Sequence, residues 1–219
     1  MDFLDRLGVQ MRVLPPSITS PLLRIAPFGE GRALPKDSIA IFTSRNGIVY
    51  GPKGSGQLAY CVGDETAKAA TQAGYTAISA QGNAENLLER VLLDRNPNEH
   101  VHFSGAQTRG DIVERLVSQG LKARREVVYQ QVAERLSRTA QELVFGPEQT
   151  LILLFSPMTA RNLRDQINKP MPHTQAVCLS DAIAREITDL GIEISVSARP
   201  DADALIDRVC QIYTGFPPP

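Results

Sequence analysis

The segment Tyr60–Val91 occurs twice in this chain, and that repetition limits the possible folds more than any other feature of the sequence. The second copy is Val177–Val209. At one constant offset Cys61 matches Cys178, Asp64 matches Asp181, Ala67 matches Ala184 and Gly74 matches Gly191. After a single inserted residue Ala84 matches Ala202, Leu87 matches Leu205, Arg90 matches Arg208 and Val91 matches Val209. A shorter pair precedes each copy: Thr43-Ser44 in AIFTSRNG, and Phe155-Ser156 in LLFSPMTA. A repeat unit of this length is a complete supersecondary block, longer than a solenoid module.

Each copy spells strand, helix, strand, helix. Ala59–Val62 is a short apolar run of the kind a buried strand requires. Gly63 permits a close turn, and Asp64 stands where an N-cap belongs. Thr66, Ala67, Ala69, Ala70 and Ala73 form a small-residue helix able to lie close to a sheet, with Gly74 at its C′ position. A second strand, Thr76–Ala80, and a second helix, Ala84–Leu93, follow. The alternation predicts an α/β fold with doubly wound parallel sheets covered on both faces.

Outside the repeat the pattern predicts a helix over Asp2–Leu7 stopped at Gly8, and a strand over Met11–Leu14. It predicts strands at Ser38–Thr43, His100–Ser104 and Thr150–Phe155. Further helices are expected at Asp111–Gln119, Val132–Phe145 and Thr159–Ile167, and a disordered tail at Phe216–Pro219. The first half carries an extra strand–helix unit, His100–Gly120, that the second half lacks. The expected arrangement is therefore a composite domain of residues 1–34 and 130–219, with 37–121 inserted. Extended connectors at Leu22–Ile25 and Lys122–Tyr129, within linkers near 22–36 and 122–129, run side by side between them.

Composition removes several functional classes. The formal net charge of −1 gives no long-range attraction to nucleic acid or to an acidic membrane. No apolar run is long enough to cross a bilayer, and no leader peptide is read at the N-terminus. Cys61, Cys178 and Cys210 are scattered among apolar residues, which predicts reduced thiols in a cytoplasmic protein. His100 and His102 share a strand face without a third ligand, so no metal site is expected. Gly51–Gly56 has the glycine spacing of a phosphate loop, but Gln57-Leu58 stand where Lys and Ser/Thr are required.

Thr43-Ser44 at a strand end, VGDETA (Val62–Ala67) before a helix, Arg109-Gly110 before another helix and Val128-Tyr129 on the second connector occur in an order that resembles uroporphyrinogen-III synthases, from about Leu14 to Val209. The resemblance implies two α/β domains joined by a two-stranded linker, with the active site in the cleft between them. It implies cyclisation of hydroxymethylbilane, with loss of water and inversion of ring D through a spiro intermediate, by a cytoplasmic monomer that uses no metal or organic cofactor. Family members begin with a strand and Thr-Arg-Pro, whereas this sequence begins within the following helix: either the true start lies upstream, or the composite domain lacks its first strand. In the second copy Ser180 replaces the turn glycine and Ile183 replaces Thr66, a position that often faces the cleft in the family. These changes support an alternative: a weak or inactive member that binds a tetrapyrrole, or another small ligand, without cyclising it. A sensor of the periplasmic-binding type is disfavoured by the missing leader.

The substrate that the resemblance implies is a polycarboxylate, so a chain without net positive charge is expected to bind it with local donors. Helix N-termini after Ser44, Gly63, Ser156 and Ser180 supply backbone N–H groups at the carboxyl edges of the strands. Asn46, Thr66, Ser104 and Thr159 add side-chain donors, and Arg45, Arg109 and Arg161 are candidate carboxylate partners. Helix capping alone would equally explain the Ser and Thr residues. Tyr129 matches the family position associated with acid catalysis: departure of the ring A hydroxyl needs a proton or a strong hydrogen bond, which a phenol can give. Because the bilane's pyrrole nitrogens drive the expulsion themselves, conformational control is expected to dominate.

Overall fold

The computed structural model describes residues 3–12, 16–29, 33–107 and 110–213. In chain order the elements are α1 (Phe3–Met11), β1 (Leu23–Pro27), β2 (Ile39–Phe42), α2 (Arg45–Tyr50), β3 (Leu58–Cys61), α3 (Asp64–Gln72), β4 (Thr76–Ser79), α4 (Ala84–Asp94), β5 (His100–Gly105) and α5 (Ile112–Ser118). They continue with β6 (Ala123–Ala133), α6 (Arg138–Val144), β7 (Thr150–Leu154), α7 (Pro157–Arg164), β8 (Thr174–Cys178), α8 (Asp181–Ala184), a 3₁₀ turn (Arg185–Leu190), β9 (Glu193–Val196) and α9 (Ala202–Tyr213). The chain divides into a composite unit, Met1–Arg24 with Ala133–Pro219, and an inserted unit, Ile25–Val132.

The inserted unit holds a six-stranded sheet in the order β1-β6-β5-β2-β3-β4, in which β2 to β6 pair in parallel. β2 reads Ile-Ala-Ile-Phe and is buried along its whole length, the continuous apolar run expected of a strand covered on both faces. On one face Ala40, Phe42, Val101 and Phe103 pack with Ile48 of α2 and Ala70 of α3. On the other, Ile39, Ile41 and Tyr60 pack with Leu87, Leu88 and Val91 of α4 and with Ile112 and Leu116 of α5. The glycine turn that mimics a phosphate loop has a structural role. Gly54 N–H and Gly56 N–H donate to the carbonyls of Ala73 and Gly74 at the end of α3. Gly74 has φ +95°, and a β-carbon there would lie 2.4 Å from the Gly54 carbonyl, so only glycine fits.

The composite unit holds a three-stranded parallel sheet, β7-β8-β9. Leu154, Ala176 and Cys178 pack with Ala160, Leu163, Ile183 and Ile187 on one face. Val177 packs with Leu7 of α1 and with Leu205, Ile206 and Val209 of α9 on the other. The repeated block thus recurs as strand–helix–strand–helix in both units, with one change. The helix after the second turn is α8, a single turn that tightens into the 3₁₀ stretch before Gly191 at φ +65°.

Several expectations need correction. α1 runs through Gly8 to Met11, because burying Leu7, with Phe3, Leu4 and Met11 alongside, against α9 outweighs the glycine penalty of about 1 kcal/mol. The strand expected at Met11–Leu14 therefore loses Met11 to this helix; Val13 and Leu14 lie outside the described residues, as does the tail Phe216–Pro219. The helix expected from Val132 begins only at Arg138: β6 continues to Ala133, Glu134 N–H donates to the Leu22 carbonyl, and Ser137 caps α6 by accepting from Ala140 N–H. Gly63, with extended backbone, is the N-cap of α3, which places Asp64 in the first turn where its charge meets the positive helix end. The boundary expected at residue 34 falls instead after Arg24. Leu34 is buried in the inserted unit's core and its carbonyl accepts from Gln57. β1 and β6 do run side by side. Phe28 N–H bonds to Val128 and Glu134 N–H to Leu22, so the residue numbers rise on one strand as they fall on the other: the pairing is antiparallel.

Candidate functional site

In the inserted sheet the chain moves outward from β2 through β3 and β4 on one side, and through β5 and β6 on the other. The reversal lies between β2 and β5. At such a switch point the flanking helices diverge and leave a crevice beyond the carboxyl ends of the strands. Thr43 and Ser44 leave β2 there, and Ser104 and Gly105 end β5.

Ser44 is the N-cap of α2: its hydroxyl oxygen accepts from Gly47 N–H at 3.4 Å. The same oxygen lies 3.1 Å from the phenolic oxygen of Tyr129. A bulge brings Tyr129 to this position. Register runs Ser104 to Val127 and then Gly105 to Tyr129, so β6 carries one extra residue and both Val128 and Tyr129 turn to the α2 face. The phenol ring lies across Gly105, where a β-carbon would sit 2.4 Å from Cε2. Its centroid is 6.0 Å from that of Tyr50, whose hydroxyl donates to the Ile25 carbonyl. Tyr129 also lines a small cavity of about 140 Å³ with Gly105, Gln107 and Gln131.

On the opposite face of β5, Thr43 Oγ1 lies 3.1 Å from His102 Nε2. Burial, reinforced by the Arg125 charge, pushes His102 down to about 4, so the ring is neutral near pH 7. His100 is fully buried, its Nδ1 lies 3.3 Å from the Lys122 carbonyl, and burial lowers its pKa as well. Both histidines are core residues, and among the described residues no three His, Cys, Asp or Glu side chains come together as metal ligands. Burial pushes Cys61 up to about 12 and Cys178 up to about 11, and also raises Cys210. All three are protonated free thiols near neutral pH.

The remaining candidates divide clearly. Asn46 is half-buried in the first turn of α2, and Arg45 is exposed there without an ion-pair partner among the described residues. A β-carbon on Gly63 would meet nothing within 4 Å, so the N-terminus of α3 is open in front. Thr66 lies in the first turn of α3 but is only 7% exposed. Ser104 is 1% exposed, and its hydroxyl oxygen accepts from Arg125 Nε at 2.7 Å. Arg125 is therefore a cation presented at that edge, one that reading the sequence passed over. In the composite unit Ser156 caps α7, accepting from Thr159 N–H at 3.1 Å, with Thr159 Oγ1 2.7 Å away. Ser180 precedes α8 without a side-chain cap bond. Arg161 is held by both oxygens of Glu186, at 3.0 and 2.7 Å, and is not a free carboxylate partner. Ile183, the counterpart of Thr66, is 2% exposed in the hydrophobic core. Arg109 lies outside the described residues. A larger cavity of about 400 Å³ in the composite unit, beside Pro170–Pro172 and Asp189–Gly191, adjoins the loops entering β8 and β9, at the opposite ends of those strands from Ser156 and Ser180.

The sequence profile described as "Uroporphyrinogen-III synthase HemD" matches residues 16–207. The chain belongs to the uroporphyrinogen-III synthase family. Among solved structures it is similar to the uroporphyrinogen-III synthetase of Helicobacter pylori 26695, at 15% identity, with 87% of this chain and 91% of that one covered and a TM-score of 0.60. It also matches a mutant uroporphyrinogen III synthase from the extremely thermophilic bacterium Thermus thermophilus, at 12% identity, covering 96% and 94% of the two chains with a TM-score of 0.40. No curated protein sequence matches. Among the described residues no helix is long and apolar enough to cross a membrane.

Proposed function

We propose that this chain closes hydroxymethylbilane to uroporphyrinogen III, the lyase step of haem biosynthesis in which water is lost and ring D is inverted. The observation that carries the assignment to particular residues is the Ser44–Tyr129 contact at the β2/β5 switch point. Ser44 Oγ accepts from Gly47 N–H, and its own proton is then available to Tyr129. With the phenolic oxygen accepting that bond, the phenolic proton is left for the departing hydroxyl of ring A, and a phenol that also accepts is the stronger donor. The lone pair of the ring A pyrrole nitrogen expels the hydroxyl. Attack at the substituted carbon of ring D then forms the spiro intermediate whose rearrangement inverts that ring. The N-termini of α2 and α3, with Asn46 and Arg45 beside the first, hold substrate carboxylates, as do Ser156, Thr159 and Ser180 at the corresponding edge of the composite sheet.

In this reading the enzyme needs no metal or organic cofactor, acts as a monomer in the cytoplasm, and engages neither nucleic acid nor membrane. Its only partner is the small-molecule substrate. Ile183 does not argue for an inactive member, because its side chain completes the composite core. The test is Tyr129→Phe, which removes one hydroxyl and keeps the ring: formation of the type III isomer should slow by about 10- to 100-fold without vanishing. An unaltered kcat in a folded variant would remove Tyr129 from the reaction.

A further inference from the structure

We propose that Arg125 is a substrate-carboxylate anchor at the β5/β6 end of this site, an inference that rests on the reading above. Arg125, on β6, pairs in register with His102 of β5, and its exposed side chain reaches forward along the sheet to the carboxyl end of β5. There Nε donates to the buried Ser104 hydroxyl, and one terminal nitrogen donates to the carbonyls of Gly105 and Ala106. All these acceptors are neutral. Arg124, the next residue, is by contrast paired with both Glu99 and Glu126. Arg125 has no carboxylate partner among the described residues, and its second terminal nitrogen has no hydrogen bond there. Its neighbour His102 is neutral. Arg125 is thus a cation without a counter-ion among the described residues, its side chain held in one orientation before any ligand arrives. That pre-organisation lowers the entropy cost of binding a carboxylate. Gly105 links it to the reacting end of the site: its α-carbon abuts the Tyr129 ring while its carbonyl takes Arg125. The Ser104 hydroxyl is the positioning group for Arg125 and is too buried to act on substrate itself.

The test compares wild type, Arg125→Ala and Arg125→Lys in steady-state formation of type III product, with binding of uroporphyrin III, which carries the same carboxylates, measured at two ionic strengths and melting temperatures confirming the fold. Loss of one charge-assisted bond should raise KM by about 10-fold or more in Arg125→Ala with kcat within about 2-fold, and Lys should restore most of it. Uroporphyrin affinity should fall in parallel and depend less on salt. An unchanged KM and affinity would overturn the proposal. So would a fall in kcat alone that Lys does not rescue, which would make Arg125 only a clamp on β5. If the wild type binds uroporphyrin but forms no type III product, the catalytic reading fails and the binding arm alone decides Arg125. If it does neither, both fail.

Discussion

Replacing Gly105 by alanine tests the placement of Tyr129 without removing its hydroxyl. A β-carbon at Gly105 would lie 2.4 Å from Cε2 and 2.7 Å from Cζ of the Tyr129 ring. Ordinary contact begins near 3.4 Å, so the ring must withdraw by about 1 Å. The Ser44–Tyr129 oxygen distance is 3.1 Å, and a displacement of that size takes the pair beyond hydrogen-bond range. Misplacing a catalytic group by about 1 Å costs on the order of 100-fold in rate. The ring is half-buried and can rotate toward solvent, so the stability cost should stay at the low end of the overpacking range, about 1 kcal/mol. Gly105→Ala should therefore fold and lose at least as much kcat as Tyr129→Phe. In the Tyr129→Phe background it should add little, because both changes remove the same interaction. The assay is steady-state formation of type III product for the two single variants and the double variant, with melting temperatures. A folded Gly105→Ala protein with wild-type kcat, or fully additive losses in the double variant, would refute the argument.

Ile183→Thr should lower stability by about 1–3 kcal/mol without raising kcat, because it exchanges a core ethyl group for a buried hydroxyl; a gain in activity would show that this position contacts substrate. His102 has a folded-state pKa of about 4 against about 6.5 unfolded. Protons then bind preferentially to the unfolded chain between those values, so its stabilisation is present above pH 6.5 and is lost as the pH falls toward 4. His102→Gln should flatten the dependence of melting temperature on pH across that window, and parallel curves would contradict the assignment.

The repeat made the α/β class, the parallel sheets and most element positions legible, because a buried parallel strand writes itself as a short apolar run: Ile39–Phe42 is apolar and buried throughout. Local pattern failed where tertiary contacts decided the outcome. Gly8 reads as a helix stop until the burial of Leu7 against α9 is known. Val132 and Ala133 read as helix until β6 is seen to extend past Tyr129. Within the site, Ser44 and Tyr129 were legible as individual residues, but their contact depends on a bulge that only the register of β5 and β6 reveals. Arg125 and Gly105 were missed for the same reason: neither belongs to a local motif, and each acquires its role from the neighbouring strand. The partner of Arg161, Glu186, comes from a separate element, so their pairing was not legible in the sequence.

The most direct measurement is the isomer composition of the product. Hydroxymethylbilane is incubated with the purified chain, and the products are oxidised and separated by chromatography. Spontaneous closure leaves ring D unturned and gives the type I isomer. The proposed function predicts type III as the main product, formed in proportion to the amount of protein. Type I alone, at the rate seen without protein, would contradict it.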